Sequence, residues 1–446
     1  MDFRNRKVTV MGLGHFGGGV GAARWLARQG AIVTVTDLAD ETTLADSLAK
    51  LDGSPIAALH LGGHREDDFR SAELIVVNPA VRPGNPFVKI GRDAGVPVRC
   101  ELELFLNACP AKTIGVTGSN GKSTTAAMIA AILRNTEQTG SPSQKTWLGG
   151  NLGGSLLGAV KDMRPDDWVV LEISSFQLWH FSRHVRMPRI AVITGCTPNH
   201  LDWHGTFAEY AAAKQKMLYG QSPTDAAVLN SLDAEAASWR DHARGRVLSP
   251  YPQAKLLAQL PVPGEHNRVN AVLAAAAALA AGCTDDQIEV GLKSFRGLPQ
   301  RLEFVGDVNG RRYYNDSAAT TPESTIAALK SFNSPVWLLG GGRNKGFDFA
   351  PLADAIARHT CGAALFGESA NELHSTLLAA RIDFPCTSMK ALAQALAWCN
   401  ERAAPGDAIL LSPACASTDQ FRNFRHRGEV FSELVRALHR TPNSEK

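Results

Sequence analysis

Long apolar runs, a charge excess of either sign and paired cysteines are all scarce in this 446-residue chain, and each scarcity removes a class of function. The longest apolar stretch, Ala271 to Ala281, is too short to span a bilayer, and Met1 to Lys7 lack the hydrophobic segment of a secretory leader. A cytoplasmic protein with no membrane partner is expected. With 46 basic and 43 acidic residues the formal charge is +3, too small to argue for nucleic acid. The eight cysteines, at 100, 109, 196, 283, 361, 386, 399 and 415, form no Cys-x-x-Cys pair and no zinc spacing, and read as small core residues of a reducing compartment. No fixed-period repeat, low-complexity segment or coiled-coil pattern is present, so a monomer is expected.

What is present begins at Ile114-Gly115-Val116-Thr117-Gly118-Ser119-Asn120-Gly121-Lys122-Ser123-Thr124-Thr125, a strand pattern that runs into a glycine turn and then a helix. Gly118 and Gly121 let the backbone aim amide N–H groups at phosphate oxygens, and the helix beginning near Lys122 adds its positive end. Lys122 brings a mobile charge and Ser123 a Mg2+ oxygen ligand. A strict P-loop pattern would want glycine where Val116 stands, so this is a variant loop with Asn120 inside the turn.

Three α/β blocks follow from alternating strand and helix patterns: residues 1–109 as a Rossmann-like domain, 110–298 as a central P-loop-type domain with a parallel sheet, and 299–446 as a C-terminal Rossmann-like α/β domain. In the first, strand Lys7–Met11 meets Gly12-Leu13-Gly14-His15-Phe16-Gly17, a helix to Gln29, and strand Ile32–Thr36 ending at Asp37. Taken alone this fingerprint suggests NAD, although the same geometry accepts any pyrophosphate on a helix N-terminus. The third block is read as another parallel sheet, with strands at 312–316, 336–342, 363–367 and 408–413. The cluster Arg422, Arg425, His426 and Arg427 reads as a solvated helix face.

Chemistry in open α/β sheets gathers at the C-terminal ends of strands, where Glu172, Asn199, His200 and Asp202 fall. An unpaired carboxylate at the end of the apolar strand Trp168–Ile173 would be costly unless it met a cation, so Glu172 is read as a Mg2+ ligand. His200 shares its loop with other polar residues and is read as functional. By pattern alone Lys214 is a solvent-facing helical lysine.

The ordered run of Thr117 to Thr124, Gly149-Gly150-Asn151, Leu171-Glu172-Ile173-Ser174-Ser175-Phe176-Gln177-Leu178, Asn199-His200-Leu201-Asp202, Gly264-Glu265-His266-Asn267, Asn315-Asp316-Ser317 and Leu411-Ser412-Pro413-Ala414-Cys415-Ala416-Ser417 resembles the Mur ligases over almost the whole chain. The resemblance implies an ATP-dependent ligase of peptidoglycan precursor synthesis that joins glutamate to UDP-N-acetylmuramoyl-L-alanine through an acyl phosphate. It makes an NAD-dependent oxidoreductase or a non-catalytic nucleotide-binding protein the lesser alternatives, beside another amino-acid ligase of the same family. It implies ATP contacts at Gly118, Ser119, Asn120, Gly121, Lys122, Ser123, Thr124, Asn270, Arg301 and Asp316. Two Mg2+ sites are implied at Ser123, Glu172, His200 and a carbamylated Lys214, with Lys122, Glu172, His200 and Lys214 as the catalytic set. Gly14, His15, Phe16, Asp37 and Asn151 would hold the UDP substrate, and Thr320, Lys345, Ser417, Thr418 and Phe424 the incoming amino acid. Closure of the third block would exclude water. Where well-known members carry a lysine this chain has Ala318, where they carry a leucine it has Thr418, and Asn78-Pro79-Ala80 replaces Ser-Pro-Gly. D-glutamate is the default substrate and L-glutamate the alternative.

Overall fold

The computed structural model describes residues 2–14, 17–139, 144–250, 260, 262 and 264–440, and the fold is α/β throughout. Among the described residues none forms a helix long and apolar enough to cross a membrane. The chain divides into two compact units, residues 1–258 with 269–292, and residues 259–268 with 293–446.

The first unit carries two parallel sheets. One has the order β3-β2-β1-β4-β5, from β1 (Lys7–Met11), β2 (Ile32–Thr36), β3 (Ala58–His60), β4 (Leu74–Val77) and β5 (Val98–Cys100). The other has the order β11-β10-β9-β6-β8-β7, from β6 (Lys112–Thr117), β7 (Thr146–Gly150), β8 (Trp168–Glu172), β9 (Ile190–Ile193), β10 (Ala226–Leu229) and β11 (Arg246–Leu248). Leu-Ile-Val-Val, Trp-Val-Val-Leu-Glu and Ile-Ala-Val-Ile are buried at every position, as strands covered on both faces by helices require. In both sheets the winding reverses beside the first strand, next to β1 and next to β6, which opens a crevice at each carboxyl edge. One core runs from Val8, Leu26 and Val35 through Leu104 and Phe105 to Leu171, Ile193 and Tyr210.

Buried carboxylates also join these two sheets. Arg99 pairs with Glu103 at 2.7 Å, and Ser182 donates to Glu103 from the backbone and the hydroxyl. Ser155 donates its hydroxyl to Glu101, and burial pushes the Glu101 carboxyl up to about 7. A raised carboxyl value means that the folded state keeps a proton the unfolded state gives up. The stabilisation is therefore complete below about 4.5 and is lost as pH rises to about 7. Glu101→Gln keeps the acceptor for Ser155 without the charge. It should flatten the fall in stability between those values and raise stability at pH 8 by about 2–3 kcal/mol, read by urea unfolding at a series of pH values. An unchanged pH slope would count against this account.

The second unit holds the order β12-β13-β17-β14-β15-β16, from β12 (Glu303–Val308), β13 (Arg311–Asn315), β14 (Val336–Gly341), β15 (Gly362–Phe366), β16 (Cys386–Met389) and β17 (Ala408–Ala414). The expected parallel sheet is in fact mixed, because β12 runs antiparallel to β13. Asn309 and Gly310, with φ of 54° and 76°, form a two-residue turn that can only return the chain antiparallel. Alternation along the strands puts Leu338, Leu365 and Leu410 in one core and Leu339, Phe366 and Leu411 in the other.

Candidate active site

The loop at the end of β6 is set from both flanks. On the β9 side Thr194 N donates to Thr117 O at 2.9 Å, and its hydroxyl donates to Asn120 O. Ser119 N reaches Gly195 O at 2.9 Å, while Ser119 Oγ donates to Thr197 O at 2.8 Å and lies 2.9 Å from the Tyr210 hydroxyl. The glycines are there for close approach: a Cβ on Gly118 would stand 2.0 Å from Thr194 Oγ1, and one on Gly121 2.3 Å from Asn270 Oδ1. Asn270 is itself buried and accepts from Thr125 Oγ1 at 3.2 Å. The result is a backbone cradle at the start of helix Lys122–Thr139, where N–H groups and the helix's positive end favour an anion.

Two lysines converge on one carbonyl of this cradle. Lys122 Nζ donates to Gly118 O and Ser119 O, both at 2.9 Å, and Lys214 Nζ donates to Gly118 O at 2.8 Å. Lys214 is not the solvent-facing residue its pattern suggests, being 1% exposed. Its helix, Phe207–Tyr219, starts with a capping box between Thr206 and Glu209 and buries Tyr210, Lys214, Met217 and Leu218 on one face. Desolvation and then the charge of Lys122 hold the Lys214 amine well below the usual lysine range.

Glu172 ends β8 in register with Val116, 3% exposed, and accepts from Asn151 Nδ2 at 3.2 Å. Ser123 is buried in the first turn of the phosphate-loop helix, and Thr117 Oγ1 is buried with no hydrogen-bond partner. His200 is the N-cap of a short helix, Leu201–His204, with φ of 53°, and packs on Phe176 at 4.8 Å. Desolvation, followed by Lys122, pushes its imidazole below the usual histidine value. Asp202 is exposed. Among the described residues no three His, Cys, Asp or Glu side chains form a metal-holding group. Mg2+ suits such a site, since it usually takes one or two carboxylates and fills its octahedron with phosphate oxygens and water. The buried Ser123 hydroxyl, the unpartnered Thr117 hydroxyl and the nearly sealed Glu172 carboxylate fit that role.

At the β1 crevice the Asp37 carboxylate accepts from Leu13 N at 2.8 Å, Gly14 N at 3.4 Å and Ala39 N at 2.9 Å, so it shapes the glycine loop from within. Asn78 turns its amide onto Gly12 O at 3.4 Å. His15 and Phe16 lie outside the described residues.

In the second unit Arg301, Lys345 and Thr418 are exposed, Thr320 and Phe424 half-buried, and Ser417 buried. Asp316, also buried, accepts from Leu302 N at 3.2 Å and Ser412 Oγ at 2.8 Å, and burial raises its carboxyl to about 7. The basic cluster splits: Arg422 and Arg425 are exposed, while Arg427 is buried and belongs to no solvated face. Thr194, Tyr210 and Arg427 escaped the sequence reading. Only Tyr210 left a signal, four residues before Lys214 on one helical face.

Three family descriptions match the chain in order: the N-terminal domain of MurD-like Mur ligases over residues 6–100, the Mur ligase middle domain over 116–251, and the Mur ligase glutamate ligase domain over 300–415. The chain is 38% identical to the UDP-N-acetylmuramoylalanine--D-glutamate ligase of Roseiflexus sp. (strain RS-1), covering 98% of this chain and all of that one, the full 100%. It is 34% identical to the protein of the same name from Koribacter versatilis (strain Ellin345), covering 98% and 99%. In fold it is similar to the crystal structure of UDP-N-acetylmuramate-alanine ligase from Thermotoga maritima, with a TM-score of 0.59 at 19% identity over 97% and 100% of the two chains. A MurF structure from Acinetobacter baumannii gives a TM-score of 0.60 at 17% identity over 97% and 94%.

Proposed function

The chain belongs to the Mur ligase family, and from that premise we propose that it joins D-glutamate to the alanine carboxylate of UDP-N-acetylmuramoyl-L-alanine at the expense of ATP, as a cytoplasmic monomer. The relatives named for D-glutamate favour that enantiomer over L-glutamate, despite Ala318 and Thr418. Residues 1–109 bind the UDP moiety, 110–298 the ATP and 299–446 the amino acid. The observation that carries the reading is the shared Gly118 carbonyl, which brings a phosphate-loop lysine and a buried, depressed-pKa lysine to one point.

The chemistry follows from charge. The alanine carboxylate oxygen attacks the γ-phosphorus of ATP, the bridging P–O bond breaks, and ADP leaves with the electron pair. Lys122 and the loop amides, with Asn120 and Thr124 beside them, neutralise the oxygens that gain charge. The amine of glutamate then attacks the acyl carbon, loses a proton, and inorganic phosphate departs. Ser123 and Glu172 at one site, and His200 and Lys214 at a second, would hold Mg2+, which would supply further charge neutralisation. Lys214 would serve there as a carbamate: its neutral amine adds to CO2, an N–C bond forms as one C=O π pair moves onto oxygen, the nitrogen loses a proton to solvent, and the uncharged amine becomes an anionic oxygen ligand. Asn151 orients Glu172, and Asn270 and Arg301 contact the nucleotide.

Phosphate release should require both UDP-N-acetylmuramoyl-L-alanine and D-glutamate. L-glutamate, D-aspartate and L-lysine should each give less than about a hundredth of that rate, since a closed polar site rejects misplaced groups strongly. No stimulation by any amino acid would sink the ligase reading, and preference for L-glutamate would reverse the stereochemical part.

A further inference from the structure

Resting on that reading, we propose that Arg427 is the positioning residue of the amino-acid pocket, clamping the three loops that leave β13, β14 and β17 into one cradle. The guanidinium has five N–H groups and makes five contacts. Nε donates to Ser317 Oγ at 3.0 Å, Nη2 to Ser317 O at 2.9 Å and Cys415 O at 3.1 Å, and Nη1 to Cys415 O at 3.1 Å and Gly341 O at 3.5 Å. No N–H remains for a ligand, so Arg427 acts through the carbonyls it holds. Because a peptide unit is planar, fixing a carbonyl also fixes the N–H and the Cα that follow it. Thus Ser317 sets the path toward Thr320, Gly341 the path toward Lys345, and Cys415 the path to Ser417 and Thr418.

Neighbouring contacts carry the clamp further. Ser317 Oγ, which accepts from Arg427, donates at 2.8 Å to the carbonyl of Phe424. Ala414 N donates to Ala319 O at 3.0 Å, joining the loops after β13 and β17, and Arg343 and Ala416 exchange both backbone bonds at 2.8 and 3.0 Å, joining those after β14 and β17. Ala414 itself has φ of 62°, a conformation unfavourable for an L-residue. The Arg427 contacts to the next carbonyl help to hold that turn.

A burial of this kind is expensive unless it serves something. Among the described residues no carboxylate lies within ion-pair distance of Arg427, whose side chain is 0% exposed. Desolvation lowers its pKa only to about 10, so the charge persists at neutral pH. The loop in front of it, Asn315 to Thr321, contains no cation of its own. Arg427 therefore adds a fixed positive charge behind a pocket for an acidic amino acid. Lysine would keep the charge but lose the planar fork that reaches three backbone carbonyls at once.

Full-length Arg427→Lys and Arg427→Ala should raise KM for D-glutamate by about tenfold or more, with KM for ATP and the UDP substrate within about twofold of wild type. Acyl phosphate trapped as the hydroxamate by hydroxylamine without glutamate should form at the wild-type rate. Millimolar guanidinium chloride, but not sodium chloride, should restore part of the glutamate affinity of Arg427→Ala. If neither variant folds, Ser317→Ala, which removes one acceptor from the fork, carries the same comparison. Parallel rises in all three Michaelis constants, or loss of trapped acyl phosphate, would overturn the positioning role. Such a result with an active wild type leaves the ligase reading standing, whereas a wild type inert to glutamate overturns both.

Discussion

Lys214→Ala should lower glutamate-dependent phosphate release by about a thousandfold, equivalent to about 4 kcal/mol of transition-state stabilisation. The large effect follows from where the side chain sits. An ordinary lysine at pH 7 is neutral in only about one molecule in a few thousand, too rarely to capture CO2. Lys214 is buried beside Lys122, and both influences favour the uncharged amine. Adding CO2 would then replace that uncharged amine with an anion able to ligate Mg2+. With 13C-bicarbonate, wild-type protein should show a carbamate carbon signal that is missing from Lys214→Ala. Acetate or propionate, which supply a carboxylate without the lysine stem, should return part of the lost activity. Full activity in Lys214→Ala, or an identical 13C spectrum, would reject the carbamate.

Much of this architecture could be read in the residues themselves. The strands expected at Lys7–Met11, Ile32–Thr36 and Trp168–Ile173 occur within a residue of their expected ends, because largely buried strands leave β-branched and aliphatic runs in the sequence. The phosphate loop was equally legible, since its glycine, lysine and serine lie in one short run and a Cβ on Gly118 or Gly121 would collide with the Thr194 or Asn270 side chain. The antiparallel β12 was missed although Asn309-Gly310 announces it; Glu303 to Val308 is only partly buried and does not alternate cleanly. Lys214 was readable in principle. It shares its helical face with Tyr210, Met217 and Leu218, and a lysine in phase with a buried stripe signals desolvation. Arg427 was not readable. It stands among Arg422, Arg425 and His426 at the start of an amphipathic helix, and its acceptors lie at strand ends, Ser317 and Gly341 far away in sequence and Cys415 in the preceding loop. Long-range backbone acceptors leave no local pattern.

The second large effect is expected at Lys122. Lys122→Ala should reduce turnover by about a thousandfold as well, but at the earlier step, because the charge it removes faces the triphosphate while the γ-phosphoryl group is moving. Hydroxylamine should trap almost no acyl phosphate from this variant, and carboxylic acids should not rescue it. A further consequence distinguishes it from simple loss of a phosphate contact. The Lys122 charge is one of the two causes that depress the Lys214 amine, after desolvation, and both lysines donate to Gly118 O. Removing Lys122 should let the Lys214 amine hold its proton to higher pH, so that the 13C carbamate signal appears only at more alkaline pH than in wild type. The losses in Lys122→Ala and Lys214→Ala should therefore be less than additive, because Lys122→Ala already removes part of the carbamate that Lys214→Ala removes outright. Strict additivity, together with a carbamate signal whose pH dependence ignores Lys122, would mean that the two lysines act independently despite their common carbonyl.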